Sequence, residues 1–315
     1  MSDPDSRSDL ARNRIARLMV LAVLCLTLLA VLYVVAVHTS LGQRIDDAAV
    51  DGRTLRPSVL QATDRVLNTI SVASLGLGGV AIMLVALMRS RPHLALAAAV
   101  VIGGANVTTQ ILKTGILDRP DLVGRRDPLG VLNTFPSGHS TVAMSLAVAF
   151  VLVVPSRARV LAAFGGLVYA TLVGAGTVTA GWHRPSDAIG AYLIVMAWAA
   201  VSVAVLIDRE GAGTDPDRAP WLVARAPSLS PFLVGTGVGA LGGALVGVAV
   251  TLVATREHEL QAVRLSAAYA ASIVAIAACA LVLMVVLLSI LRGVVLDPPG
   301  DVSRAALRGT AQPAH

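Results

Sequence analysis

The chain has 315 residues, 56% of them hydrophobic and 14% charged; a water-soluble domain of this length carries about 25% charge, so an ordinary soluble fold is excluded. Formal net charge is +6, carried almost wholly by arginine, with Lys113 the single lysine. The arginines sit in short loops between apolar blocks, which reads as topology signalling rather than a nucleic-acid footprint. An aromatic content of 3% argues against a stacking platform for single strands.

The first apolar run, 18–37, has no charge and rises about 30 Å as a helix, the thickness of a hydrocarbon core. Arg7, Arg12, Arg14 and Arg17 precede it. It is too long for a signal peptide and no small-residue cleavage site follows cleanly, so it reads as a retained helix. Segment 39–68 mixes charged and apolar positions (Ile45, Asp46, Asp47, Leu55 and Leu60 among them) and is expected to form a short helix lying on the outer surface. Further membrane runs follow at 69–88, 93–112, 139–155, 160–180, 188–207, 231–254 and 265–291. Cys25 and Cys279 both fall inside apolar runs and read as small hydrophobes, with no disulfide or zinc framework available.

The predicted fold class is therefore all-α, a polytopic transmembrane helix bundle. Eight helices put both termini on one side. Arg89, Arg91, Arg157, Arg159, Arg292, Arg304 and Arg308 share that side with the N-terminal arginines, which makes it cytoplasmic. The expected organisation is a cytoplasmic segment 1–17, a six-helix core 18–207, a cytoplasmic linker 208–230 with Asp215-Pro216-Asp217 and Pro220, two additional helices in 231–291, and a disordered tail 292–315. Segments 39–68, 113–138, 181–187 and 255–264 then lie outside, and the protein is placed in the cytoplasmic membrane.

Polar groups are costly near lipid, so their clustering is informative. Three clusters fall at helix ends on the predicted outer side. The last is Gly181-Trp182-His183-Arg184-Pro185-Ser186-Asp187. If this stretch turns into a helix, His183 and Asp187 share a face; the carboxylate then fixes the imidazole tautomer and leaves the other ring nitrogen free to attack. The plainer reading is a capping aspartate beside a surface histidine. A metal pair lacks a third ligand nearby in sequence.

The middle cluster is Phe135-Pro136-Ser137-Gly138-His139-Ser140. Ser137 suits an N-cap, Gly138 admits close approach to the backbone, and free N–H groups at a helix start bind phosphate. His139 can act there as a general acid. Taken alone, these residues read better as an ordinary cap. The first cluster is Lys113, Arg119-Pro120 and Arg125-Arg126. Cations at a membrane surface often only snorkel, but a concentration of them on the outer side opposes the positive-inside rule and suits an anion.

Together the clusters resemble the type 2 phosphatidic acid phosphatase (PAP2) superfamily, the metal-independent lipid phosphate phosphatases. That pattern is K-x6-R-P, then P-S-G-H, then S-R-x5-H-x3-D. Here Lys113 precedes Arg119-Pro120, Pro136-Ser137-Gly138-His139 is intact, and His183 and Asp187 follow. The resemblance spans roughly 15–207. It implies a phosphohistidine at His183, oriented by Asp187, with Lys113, Arg119, Ser137 and Gly138 holding phosphate and His139 protonating the leaving hydroxyl. It implies no cofactor and no metal. The partners it implies are a lipid phosphate and the bilayer, with no nucleic acid.

Two departures stand out. Five residues separate Lys113 from Arg119 instead of six, which a loop can absorb and which in a helix rotates the lysine by about 100°. The Ser-Arg pair falls on Gly176 and Thr177, so the phosphate-clamping arginine is absent; Arg125, Arg126 and Arg184 are candidates to replace it. Losing one clamp weakens transition-state binding by several kcal/mol if nothing compensates. That motivates a second class of function, a weakened lipid-phosphate binder or transporter. A phosphotransferase would use the same residues. A small-solute channel is disfavoured, because ionisable residues are almost lacking between the helix ends. Gly235, Gly237, Gly239, Gly242, Gly243 and Gly247 permit close helix packing, compatible with a homo-oligomer.

Overall fold

The structure, a computed structural model, describes residues 4–53, 57–69, 72–124, 133–210 and 261–291. Every regular element among them is helical: α1 (Pro4–Val37), α2 (Ser40–Asp51), α3 (Pro57–Thr69), α4 (Val72–Met88), α5 (Pro92–Ile111), α6 (Gly138–Val153), α7 (Arg159–Thr179), α8 (Pro185–Glu210) and α9 (Gln261–Ile290). The expected run 231–254 lies outside the described residues, as do Arg125 and Arg126.

Among the described residues, five helical spans are long and apolar enough to cross a bilayer: Ala11–Val37, Pro92–Ile116, Ser156–Thr179, Pro185–Asp208 and Val263–Ile290. Two further runs expected to cross, in α4 and α6, form shorter apolar helices, Leu75–Met88 and Gly138–Val153. The 16 residues of α6 rise about 24 Å, less than a hydrocarbon core. Large apolar side chains such as Val20, Leu77, Leu161, Phe164 and Leu172 are exposed. An apolar surface this extensive suits lipid as its solvent.

The axis of the bundle is α8, which packs against α1, α5, α6 and α9. Its small residues let neighbours approach: a Cβ at Gly190 falls 2.7 Å from the Phe135 ring. Pro185 begins α8 and Pro92 begins α5, where a missing N–H costs nothing because the first helical N–H groups have no intrahelical acceptor. α9 packs on α2, α7 and α8, and its Tyr269 hydroxyl meets Thr179 Oγ1 at 2.7 Å.

Segment 39–68 departs from its expected surface helix. It forms two helices, and the first is not superficial. Thr39 caps α2 by accepting from the Gly42 N–H at 3.0 Å. α2 then packs on α1, α8 and α9 and buries Gln43 and Asp46. Gln43 Nε2 donates to the carbonyls of Val37 and Pro120 at 2.6 and 2.7 Å. The polarity of Gln43 and Asp46 reflects partners inside the protein, while Ser40, Arg44 and Asp51 stay exposed.

Substituting Gly190→Val is expected to lower stability by about 1–3 kcal/mol, because the added atoms overpack against Phe135. A thermal melt of purified protein in detergent checks this.

Candidate active site

Asp187 is the third residue of α8, and it organises the site. Its Oδ2 accepts from the Arg184 backbone N–H at 2.9 Å, and its own N–H returns to the Arg184 carbonyl at 3.0 Å. This is the acidic half of a capping box. The same Oδ2 lies 3.3 Å from His183 Nδ1, and Oδ1 accepts from Arg119 Nη2 at 2.8 Å. The expected shared helical face is thus replaced by a turn, since His183 precedes the helix. The capping reading and the orienting reading are met by one fully buried carboxylate. With the proton on Nδ1, the Nε2 lone pair of His183 is free.

Two other turns hold His183 in place. Its backbone N–H and that of Trp182 both donate to the Thr177 carbonyl, at 3.2 and 3.0 Å. Thr177 itself is buried, with Oγ1 donating to the Gly174 carbonyl at 2.8 Å. The residue in the place of the clamping arginine is therefore turned into its own helix and supports the histidine turn.

The middle cluster is tied to the third by Ser137, whose N–H donates to the Asp187 carbonyl at 2.9 Å. Ser137 is the N-cap of α6, its Oγ accepting from the Ser140 N–H at 3.3 Å. Gly138 opens the helix, with Gln110 Nε2 3.4 Å from where its Cβ would stand. In the first turn, His139 places its ring centroid 6.3 Å from that of His183 and 5.3 Å from Trp182.

The short spacing of the first cluster is absorbed locally. After α5 the chain makes one π-helical turn, Leu112–Ile116, closed by the Leu117 N–H on the Leu112 carbonyl at 2.8 Å. Extended backbone follows at Leu117. Asn133 Nδ2 donates to the carbonyls of Lys113 and Leu117 at 3.1 and 2.8 Å and braces this turn. Single π turns of this kind recur at functional sites. Arg119 reaches Asp187 despite the missing residue, and its Nε and Nη1 are buried without a hydrogen-bond partner among the described residues. Buried donors in that state invite a ligand. Lys113 is partly buried and close enough to Asp187 and His139 to interact electrostatically.

Sequence reasoning missed Asn133, Ser186 and the two aspartates of α2. Asp47 Oδ1 accepts from Arg184 Nε at 2.7 Å. Asp46 takes the Ser186 hydroxyl in a short hydrogen bond and the Ser186 N–H at 3.3 Å, and its Oδ2 stands 3.9 Å from Arg119 Nη1, an ion contact rather than a hydrogen bond. Burial pushes the Asp46 carboxyl up to about 6, with Arg119 opposing the rise and Asp187 reinforcing it. Asp46 and Ser186 also form part of the wall of a mostly apolar cavity of about 190 Å³ between α1, α2, α8 and α9. The adjacent Asp46-Asp47 pair was visible in the sequence, but nothing in its spacing linked it to the other clusters. Among the described residues, no three His, Cys, Asp or Glu side chains converge as metal ligands.

Lys113, Arg119, Ser137, Gly138, His139, His183 and Asp187 thus gather at one end of the bundle, in three segments that sequence reading placed on one side. Residues 94–210 match the PAP2 superfamily. That segment holds all seven residues and leaves Asp46 and Asp47 outside it. The chain is also similar to the crystal structure described as the first transmembrane PAP2 type phosphatidylglycerolphosphate phosphatase from Bacillus subtilis. Identity is 21% and the TM-score 0.48, over 60% of this chain and 96% of that one. No curated protein matches the chain.

Because the folded state holds the Asp46 proton more tightly than an unfolded carboxyl does, the stability it contributes is present below about pH 4 and declines as pH rises toward 6. Asp46→Asn mimics the neutral form. Its melting temperature relative to the wild type is expected to rise across that window and stay higher at pH 7.5, as paired thermal melts would show.

Proposed function

We propose that this protein is a metal-independent lipid phosphate phosphatase working through a phosphohistidine at the outer membrane face. The observation that carries the reading is the single Asp187 carboxylate holding His183 at 3.3 Å and Arg119 at 2.8 Å, with His139 across a ring-centroid gap of 6.3 Å. A nucleophile, its orienting base, an acid and an anion clamp are more than binding alone requires.

His183 Nε2 attacks phosphorus, forming an N–P bond as the P–O bond to the lipid breaks. His139 gives its proton to the departing lipid oxygen. Water then attacks phosphorus, His139 takes the proton from it, and the N–P bond breaks to release phosphate. Lys113, Arg119 and the backbone N–H groups at the start of α6 hold the phosphoryl oxygens, where fixed charges and dipoles in a low-dielectric site stabilise developing charge. Arg184 supports the place left by Thr177: it adjoins His183, is buried, and has Nη1 without a hydrogen-bond partner among the described residues. The substrates that fit are membrane lipids with a terminal phosphate or diphosphate, such as phosphatidate, phosphatidylglycerol phosphate or a polyprenyl diphosphate.

The test is phosphate release by the purified protein in detergent with a chelator, over those three lipids. Wild type is expected to release phosphate from at least one, and His183→Ala to fall to background, a loss of at least about 10⁴-fold. Release of no phosphate from any lipid contradicts the enzyme reading and favours a binder or transporter. Transfer to an added alcohol in place of release identifies a phosphotransferase.

A further inference from the structure

Asp46, like its neighbour Asp47 on Arg184, links α2 to the catalytic turn. Three contacts define its place: the Ser186 hydroxyl, the Ser186 N–H at 3.3 Å and Arg119 Nη1 at 3.9 Å. Ser186 is the residue before Asp187, and Arg119 is the guanidinium on Asp187 Oδ1. Asp46 is therefore linked to Asp187 along two routes, through the backbone at the start of α8 and through a shared arginine. It is 5% exposed, so these contacts are not screened by water. The groups facing it are Arg119 from the segment after α5, and Ser186, Arg184 and Asp187 from the start of α8. Its cavity neighbours on α1 and α9 are apolar apart from Ser272.

The consequence follows from how a shared cation divides itself. Arg119 stands between two carboxylates, and among the described residues only its Nη2 makes a hydrogen bond. With Asp46 present, the guanidinium is anchored on a second side and leaves Oδ2 of Asp187 to His183 and the Arg184 N–H. Without it, Arg119 can rotate onto Asp187 and compete for both oxygens, and the turn at Ser186 loses its brace. We propose that Asp46 is a positioning residue of this site, acting through Arg119 and Ser186 to fix the Asp187 carboxylate against His183. A helix outside the matched segment 94–210 thereby becomes part of the machinery. The catalytic consequence rests on the phosphatase reading; the positioning does not.

The experiment uses the full chain in detergent, labelled with ¹⁵N-histidine, as wild type, Asp46→Asn and Asp46→Glu, with His183→Gln to assign the His183 signals. Ring ¹⁵N shifts report which nitrogen carries the proton. Wild type is expected to hold His183 with its proton on Nδ1. Asp46→Asn is expected to give a mixture of tautomers, and Asp46→Glu to recover most of the wild-type signal. In the phosphate assay, Asp46→Asn is expected to lower kcat about tenfold with KM unchanged within twofold, the lower end of what supporting residues contribute. It does so without loss of melting temperature. Ser186→Ala combined with Asp46→Asn should be no slower than the slower single variant, as expected of residues acting as one unit. An Asn variant that keeps the wild-type tautomer, or losses that multiply in the double variant, overturns the proposal. If wild type releases no phosphate, the phosphatase reading falls while the ¹⁵N shifts still decide the role of Asp46.

Discussion

The carboxylate of Asp187 is the constraint from which the rest of the site is arranged. It caps α8 through the Arg184 N–H, orients His183 and receives Arg119, all with two oxygens and no exposure. A buried carboxylate so placed costs several kcal/mol to desolvate unless every lone pair is used. Its three donors, Arg119 Nη2, His183 Nδ1 and the Arg184 N–H, offset that cost, and they come from different parts of the chain. The ion pair is therefore a device for register: it brings the segment after α5 to the start of α8. The Ser137 N–H on the Asp187 carbonyl brings α6 to the same point. Truncating Asp187 would strand Arg119 as well as loosen His183.

The surrounding bundle makes that point reachable. α8 is the common neighbour of six other described helices, so its first turn is the natural meeting place for their ends. α6 is short and starts at the site, presenting its first N–H groups and the positive end of its dipole to an anion. The π turn after α5 changes the helical phase where the chain must leave it. α9, beyond the matched segment, closes one side through α2, α7 and α8, with Tyr269 on Thr179 near the histidine turn.

Much of this was legible in the sequence, for identifiable reasons. Long apolar runs specify membrane helices by length alone, and P-S-G-H and H-x-x-x-D are local patterns whose partners lie within a turn. Ser137 became the cap its residue type suggests. What could not be read depends on contacts between distant segments. The five-residue spacing after Lys113 left open absorption in a loop or a rotation of the lysine, and the local turn could not be read: the chain makes a π turn followed by extended backbone. Asp46 and Asp47 read as part of a surface helix because partners such as Arg119, Arg184 and Ser186 lie some 70 to 140 residues away. Periodicity reports faces of one helix and is blind to such pairings. His183 and Asp187 were expected to meet by helical spacing, and they meet through a capping turn with the same outcome for the imidazole.

The central claim is that the Asp187-held imidazole of His183 is the atom that accepts phosphate. Its most direct test is to mix the protein with a lipid carrying a ³²P-labelled terminal phosphate, quench in alkali, which preserves phosphohistidine, and map the label. The account predicts alkali-stable, acid-labile label on the peptide containing His183, absent in His183→Ala and increased in wild type when water attack is slowed. Phosphate released with no label on protein, or label at another residue, would contradict it.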